Sequence, residues 1–248
     1  MRNLNITVEY LKNKNKVLLL TTSNRSPKSK DTPKSTKLAQ YIKDKLEKYD
    51  IEVVILNIPD LNILPCSGNV SESEGNVCGV KDTLLKNKQK NPSGYHRCWV
   101  SWAHKEDELW KITKELFESD VVLFFGSVRW GQTNAFYQKL IERLNWLENR
   151  WTTLEEDNVI EKIEAGIILT GHNWNGANVI KTQKQVLKFY GFEVPNELSW
   201  NWQYTTDYME ESQESYKEDP KLFERVFNIT LNLKEEFKNW ISKKIKNL

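Results

Sequence analysis

Nothing in the 248 residues approaches the roughly 18 consecutive apolar positions that a membrane-spanning helix needs. The opening stretch, MRNLNITVEYLKNKNK, lacks the apolar centre of a secretory leader. Cysteine is scarce at three, an odd number that argues against a disulfide framework. Charge of neither sign dominates: 36 Lys and Arg against 34 Asp and Glu leave +2, with no overall pull toward nucleic acid or a membrane surface. Glycine is absent from residues 22–37, the loop after the first apolar run, which excludes both a Walker A and a GxGxxG phosphate loop there. These absences lead to the expectation of a soluble, cytoplasmic protein with neither nucleic acid nor membrane as a partner.

What is present is an alternation of buried-strand runs and helical patterns. Residues 16–21 (KVLLLT), 51–58 (IEVVILNI), 121–125 (VVLFF) and 165–170 (AGIILT) read as strands, and 192–198 as a fifth. Between them, Leu38, Ile42, Leu46 and Tyr49 keep a helical phase. So do Leu109, Ile112 and Leu116, and Phe136, Leu140, Leu144 and Leu147. A further helix is expected to end at Tyr190 before the cap-forming Gly191. Strands alternating with helices predict a mainly parallel sheet covered on both faces. The expected architecture is one α/β domain over residues 1–248, a flavodoxin-like doubly wound sheet with its five strands in the order 2-1-3-4-5. An irregular insertion is expected at about 62–105, and a C-terminal helix at about 220–246 after Asp219-Pro220. The alternation of Leu4, Ile6, Val8 and Tyr10 suggests a short edge strand or an arm onto a partner.

In such a sheet, ligands sit at the carboxyl ends of the strands where the order reverses. Three loops should meet there. Residues 22–37 hold Arg25, Lys28, Lys30, Lys34 and Lys37 against the single acid Asp31, with Ser35-Thr36 near a helix start. Backbone N–H groups and a helix dipole suit such a turn to phosphate, although a solvated basic loop has the same composition. Residues 126–134 place Trp130 between small residues, and 170–176 (TGHNWNG) are small and polar. A ligand with a phosphate at one end and a flat ring at the other would match the three.

These residues resemble the flavodoxin-fold NAD(P)H-dependent FMN reductases, a family that includes iron–sulfur flavoproteins. Ser127-Val128-Arg129-Trp130-Gly131 stands where that family has P-V-Y-W-G, and Glu142-Arg143 follows the Trp by the interval of its D-R pair. Thr22-Ser23-Asn24-Arg25 with Ser35-Thr36 resembles its G-S-P-R…N-T loop. Pro65-Cys66 and Cys78-Gly79-Val80-Lys81-Asp82 resemble P-C-x-x-C and C-x-x-K-D. The resemblance covers roughly residues 16–200. It implies that Ser23, Arg25, Ser35, Thr36 and Lys37 hold the phosphate of FMN. Ser127, Val128, Arg129, Trp130 and Gly131 would lie along the ring, with Thr170, Gly171 and His172 approaching from the other side.

It further implies an oxidoreductase with NADPH or NADH as transient co-substrate and a small-molecule electron acceptor, working as a homodimer. The alternative is an FMN-binding electron carrier without its own nicotinamide site. No side chain is assigned as catalytic, because the flavin itself accepts the hydride. The departures are Ser127 and Arg129 for the family's Pro and Tyr, Gln138 for its Lys, and the lack of glycine in the first loop. Cys66, Cys78 and Cys98 are too few and too widely spaced for a four-thiolate cluster, and with His96 they lack the paired spacing of a zinc site. No metal is therefore expected.

Overall fold

The computed structural model describes residues 2–24, 32–68, 78–171 and 175–203. Five strands form its parallel sheet: β1 (Lys16–Thr21), β2 (Glu52–Asn57), β3 (Val121–Arg129), β5 (Glu164–Gly171) and β6 (Trp200–Gln203). Their order across the sheet is β2-β1-β3-β5-β6, with the short β4 (Gln132–Thr133) folded back antiparallel onto β3. Taken as successive parallel strands this is the predicted 2-1-3-4-5, and the fold is flavodoxin-like α/β. The reversal of direction falls between β1 and β3, which pair from Val17↔Val121 to Thr21↔Phe125.

The period of two along each strand divides the core between the two faces. Val17, Leu19, Val121, Leu123 and Phe125 pack with α1 (Arg2–Leu11) and α2 (Lys34–Leu46). Leu18, Leu20, Val122 and Phe124 pack on the other side with α4 (Leu109–Leu116), α5 (Ala135–Thr152) and α6 (Gly176–Tyr190). Strands buried on both faces explain why β1 and β3 read as unbroken apolar runs.

Three expectations need correction. The N-terminal stretch is the helix α1, because Leu4, Thr7 and Leu11, all buried, recur at helical spacing. It packs on its own chain: the Thr7 hydroxyl donates to the Glu197 carbonyl at 2.5 Å and accepts the Trp200 indole N–H at 2.9 Å. The last strand lies at 200–203 and not at 192–198. Glu193 makes only an isolated bridge to Glu164 before the chain rejoins the sheet. Strand β3 does not end at Phe125 but runs on to Arg129, so the predicted turn is shorter than expected.

The segment 62–105 is anchored to α5. It holds the short helix α3 (Trp99–Ala103). Arg143, buried on α5, donates to the Leu64 carbonyl (2.6 Å), to both oxygens of buried Asp107 (2.7 and 2.9 Å), to Ser101 Oγ (3.1 Å) and to Cys98 Sγ (3.2 Å). The helix predicted over 220–246 lies outside the described residues.

Candidate functional site

The first loop leaves β1 under tight control. The Thr22 N–H donates to the Phe125 carbonyl at 2.8 Å and its hydroxyl to the same oxygen at 2.9 Å. Ser23 is buried and Asn24 exposed. Helix α2 starts behind Pro33, and the Lys37 N–H closes the first turn on the Pro33 carbonyl at 2.9 Å. Pro33 at the cap position gives this helix no side-chain bond, although its first turn carries Ser35 and Thr36. Ser35 is buried, and the buried Thr36 hydroxyl oxygen has no hydrogen-bond partner among the described residues. A buried hydroxyl seeking a partner beside a helix N-terminus is suited to an anionic oxygen. Arg25 lies outside the described residues.

The second loop is a two-residue hairpin. Val128 pairs with Thr133 and Arg129 with Gln132, leaving Trp130 and Gly131 at the tip with φ of +51° and +71°. Positive φ at both central residues is the turn whose twist suits a hairpin, and Gly131 adopts it freely. Trp130 does so against its own side chain, and it is 90 % exposed.

Asn134, at the start of α5, joins the first two loops. Its Oδ1 accepts the Ser127 N–H at 3.0 Å, and its Nδ2 donates to the Thr22 carbonyl and to Asn24 Oδ1 (3.2 Å). Gly126 accommodates it, since a Cβ there would stand 2.9 Å from Asn134 Oδ1.

The third loop closes the group. Thr170 lies opposite Ser127 in the ladder, and its hydroxyl donates to the Gly126 carbonyl at 3.3 Å. A Cβ at Gly171 would touch Val128 at 3.5 Å. Asn175, also in the left-handed region, donates from Nδ2 to the Gly131 carbonyl at 3.0 Å and so ties this loop to the hairpin tip. His172 lies outside the described residues.

The structure thus brings Ser23, Ser127, Val128, Arg129, Trp130, Gly131, Thr170 and Gly171 to one edge through bonds among their loops, with Ser35, Thr36 and Lys37 on the first turn of the adjoining α2. Val128 faces the core and offers only its backbone, while Arg129 and Trp130 face solvent. Asn134 and Asn175 were not among the expected site residues. A signal for Asn134 was legible: Asn is a favoured residue immediately before a helical apolar pattern. Arg143 takes no part in the bonds described between these loops; its own bonds go to Leu64, Cys98 and Ser101 of the 62–105 segment and to Asp107.

Cys66, Cys78 and Cys98 are free thiols, of which Cys78 and Cys98 are buried. Cys78 is held unreactive, its thiol pushed up to about 12, chiefly by burial. Among the described residues no group of three or more His, Cys, Asp and Glu stands together as a metal site. None of the described helices is long and apolar enough to cross a membrane.

No family model matches the chain, and neither does any curated protein. Solved structures do resemble it. RosB, described with a bound intermediate, 8-demethyl-8-formylriboflavin-5′-phosphate, is 17 % identical over 91 % of this chain and 81 % of its own, with a TM-score of 0.58. An azoreductase from Bacillus anthracis str. Sterne is 15 % identical over 86 % of this chain and 93 % of its own, with a TM-score of 0.48. An NADH:FMN oxidoreductase in its apo form is 12 % identical over 74 % of each chain, with a TM-score of 0.42. The likeness to RosB bears on the fold.

Proposed function

We propose that the protein is an FMN-dependent oxidoreductase, with NADH or NADPH as transient co-substrate and a small-molecule acceptor such as a quinone, a nitro or azo compound, a metal ion or free flavin. The observation that carries the reading is the buried Thr36 hydroxyl, without a partner among the described residues, at the start of α2, where Pro33 supplies no side-chain cap, on the same sheet edge as the tied hairpin. A phosphate oxygen satisfies that hydroxyl, and the helix start supplies N–H groups and a positive dipole end. That RosB was solved with a flavin 5′-phosphate derivative on this fold supports the same assignment.

The residues present fit FMN. Ser23, Ser35, Thr36 and Lys37 would hold the phosphate, together with Arg25 on the resemblance. The backbone of Ser127 to Gly131 and the loop from Thr170 through His172 would border the ring. FMN, when bound, takes a hydride from the nicotinamide and passes electrons on to the acceptor. The protein's share is placement: peptide dipoles held in a rigid hairpin need no reorganisation when charge changes beside them. The exposed Trp130 leaves the hairpin tip accessible to small molecules. A homodimer acting in the cytoplasm completes the proposal.

The test is anaerobic titration of the purified protein. FMN fluorescence should quench saturably, and the bound flavin should bleach with NADH or NADPH. Absence of quenching removes the flavin reading. Binding without bleaching by either nicotinamide points instead to the electron carrier. Replacing Thr36 by Val should weaken FMN by roughly tenfold to a hundredfold, as expected for one lost hydrogen bond to a charged group.

A further inference from the structure

We infer that Asn134 is a positioning residue which, by fixing the turn after β1 against β3, sets the preference of the site for flavin that carries a phosphate. The inference rests on the FMN reading above. Asn at the start of a helix ordinarily turns its side-chain oxygen back onto the N–H groups of its own first turn. Asn134 does not, and its side chain makes no capping bond to α5. Its amide is diverted instead to two other segments.

The division of those bonds decides what it controls. Both Nδ2 partners, the Thr22 carbonyl and Asn24 Oδ1, belong to the turn after β1, and they bracket Ser23. Its Oδ1 accepts from the Ser127 N–H, in β3 just before the hairpin, and from the Thr22 hydroxyl at 3.2 Å. Thr22 is already bonded to Phe125 by backbone and hydroxyl. The amide adds to this hold at Thr22 and extends it to Asn24 Oδ1, so that the turn is fixed on both sides of Ser23. Asn134 is buried at 1 % exposure, so water cannot replace these bonds one for one when the side chain is removed.

The arrangement is also exclusive. Gly126 has Asn134 Oδ1, Leu169 Cδ2 and Thr22 Oγ1 within 2.9 to 3.2 Å of where a Cβ would be, so a side chain at 126 must displace the amide or its neighbours. An amide is neutral, so it orders the turn without contributing a charge that would compete with or repel a phosphate. Removing it takes one bond from the ring side, at the Ser127 N–H, where the hairpin keeps its own pairing and the Asn175 tie. The turn after β1 loses the side-chain bonds that Asn134 gives it.

The experiment compares dissociation constants for FMN and riboflavin in the wild type, Asn134→Ala and Gly126→Ala. The wild type should bind FMN more tightly than riboflavin. In Asn134→Ala that preference should fall about tenfold, the size expected from two loosened hydrogen bonds, while riboflavin affinity changes less than about threefold. Gly126→Ala, which keeps the amide but crowds it, should lose preference in the same direction and decides the matter if Asn134→Ala does not fold. An unchanged preference, or equal weakening of both flavins, overturns the positioning role and leaves the FMN reading intact. A wild type that binds neither flavin overturns the FMN reading itself, and this inference with it.

Discussion

Helix α5 carries two buried polar hubs of different character. At its start, Asn134 links two loops of the sheet edge with a neutral amide. Further along, Arg143 links Leu64, Cys98, Ser101 and Asp107 with a fully buried charge. Burial opposes charge on both members of the Arg143–Asp107 pair, and each holds the other ionised. The Arg143 guanidinium is raised above its ordinary value by Asp107. The Asp107 carboxyl is held below the usual carboxylate range by Arg143, the Ser101 hydroxyl and the Leu64 N–H. The charge of this hub is balanced within its own protein by Asp107, although Arg143 Nε has no hydrogen-bond partner among the described residues, and the hub serves architecture. The neutral hub brings no charge of its own to the edge where α2 begins with Thr36, whose hydroxyl has no partner among the described residues.

The largest effect should come from breaking the charged hub. Asp107→Ala leaves Arg143 buried without a counter-charge and should cost about 3–5 kcal/mol in urea or thermal unfolding. If the variant is folded at low temperature, its preference for FMN over riboflavin should be that of the wild type. A matching loss of preference would mean that the two hubs are not separate in function.

The same contrast governs what the sequence disclosed. The parallel core was legible because β1 and β3, buried on both faces, contain nothing but apolar residues over their central positions. The exposed Trp at the hairpin was legible from its small neighbours. The extent of β3 was not, because Gly126-Ser127 has the composition of a turn. Gly126 is there to make room for Asn134, a contact that only the folded chain reveals. Arg143 matched a family spacing, yet that spacing could not tell a site arginine from one that anchors an insertion. Its partner Asp107 lies in another segment of the chain, and pairings across such a distance leave no local pattern. The N-terminal alternation misled because residues 4–10 carry apolar groups at both strand and helix spacing, and burial of Leu4, Thr7 and Leu11 decided it.

A smaller effect separates the hubs by pH. His96 is fully buried near Arg143 and Asp107, with its Nδ1 2.6 Å from the Thr113 hydroxyl. Burial lowers its pKa to about 3, Asp107 acting to raise it and Arg143 to lower it. As pH falls, the unfolded chain takes up a proton on His96 near 6.5, and the folded chain does not until about 3. Stability is thus lost across that window, by about 1.4 kcal/mol per pH unit below 6.5, or about 2 kcal/mol by pH 5. Asp107 adds nothing there, because its depressed pKa moves its own loss to lower pH. Unfolding measured at pH 6.5 and pH 5 should show this slope in the wild type and a flatter one in His96→Asn. Equal slopes would show that the ring is not kept neutral by the fold.

The smallest expected change in stability lies at the hairpin, and it carries the sharpest test of what that end of the molecule is for. Trp130 holds a left-handed backbone with its side chain in solvent, so it buries almost nothing in return for a strained conformation. Trp130→Gly relieves the strain and adds chain entropy to the unfolded state, two terms of about 1 kcal/mol that oppose each other. Thermal unfolding should move little in either direction. A residue kept only for folding would then be silent in every assay. If Trp130 serves the ligand, as its place beside the proposed ring site implies, Trp130→Gly should raise KM for an aromatic acceptor or weaken flavin binding at unchanged stability. Stability and kinetics that are both unchanged would assign the exposed indole to neither folding nor flavin chemistry, and the comparison of the two hubs would then rest on Asn134 alone.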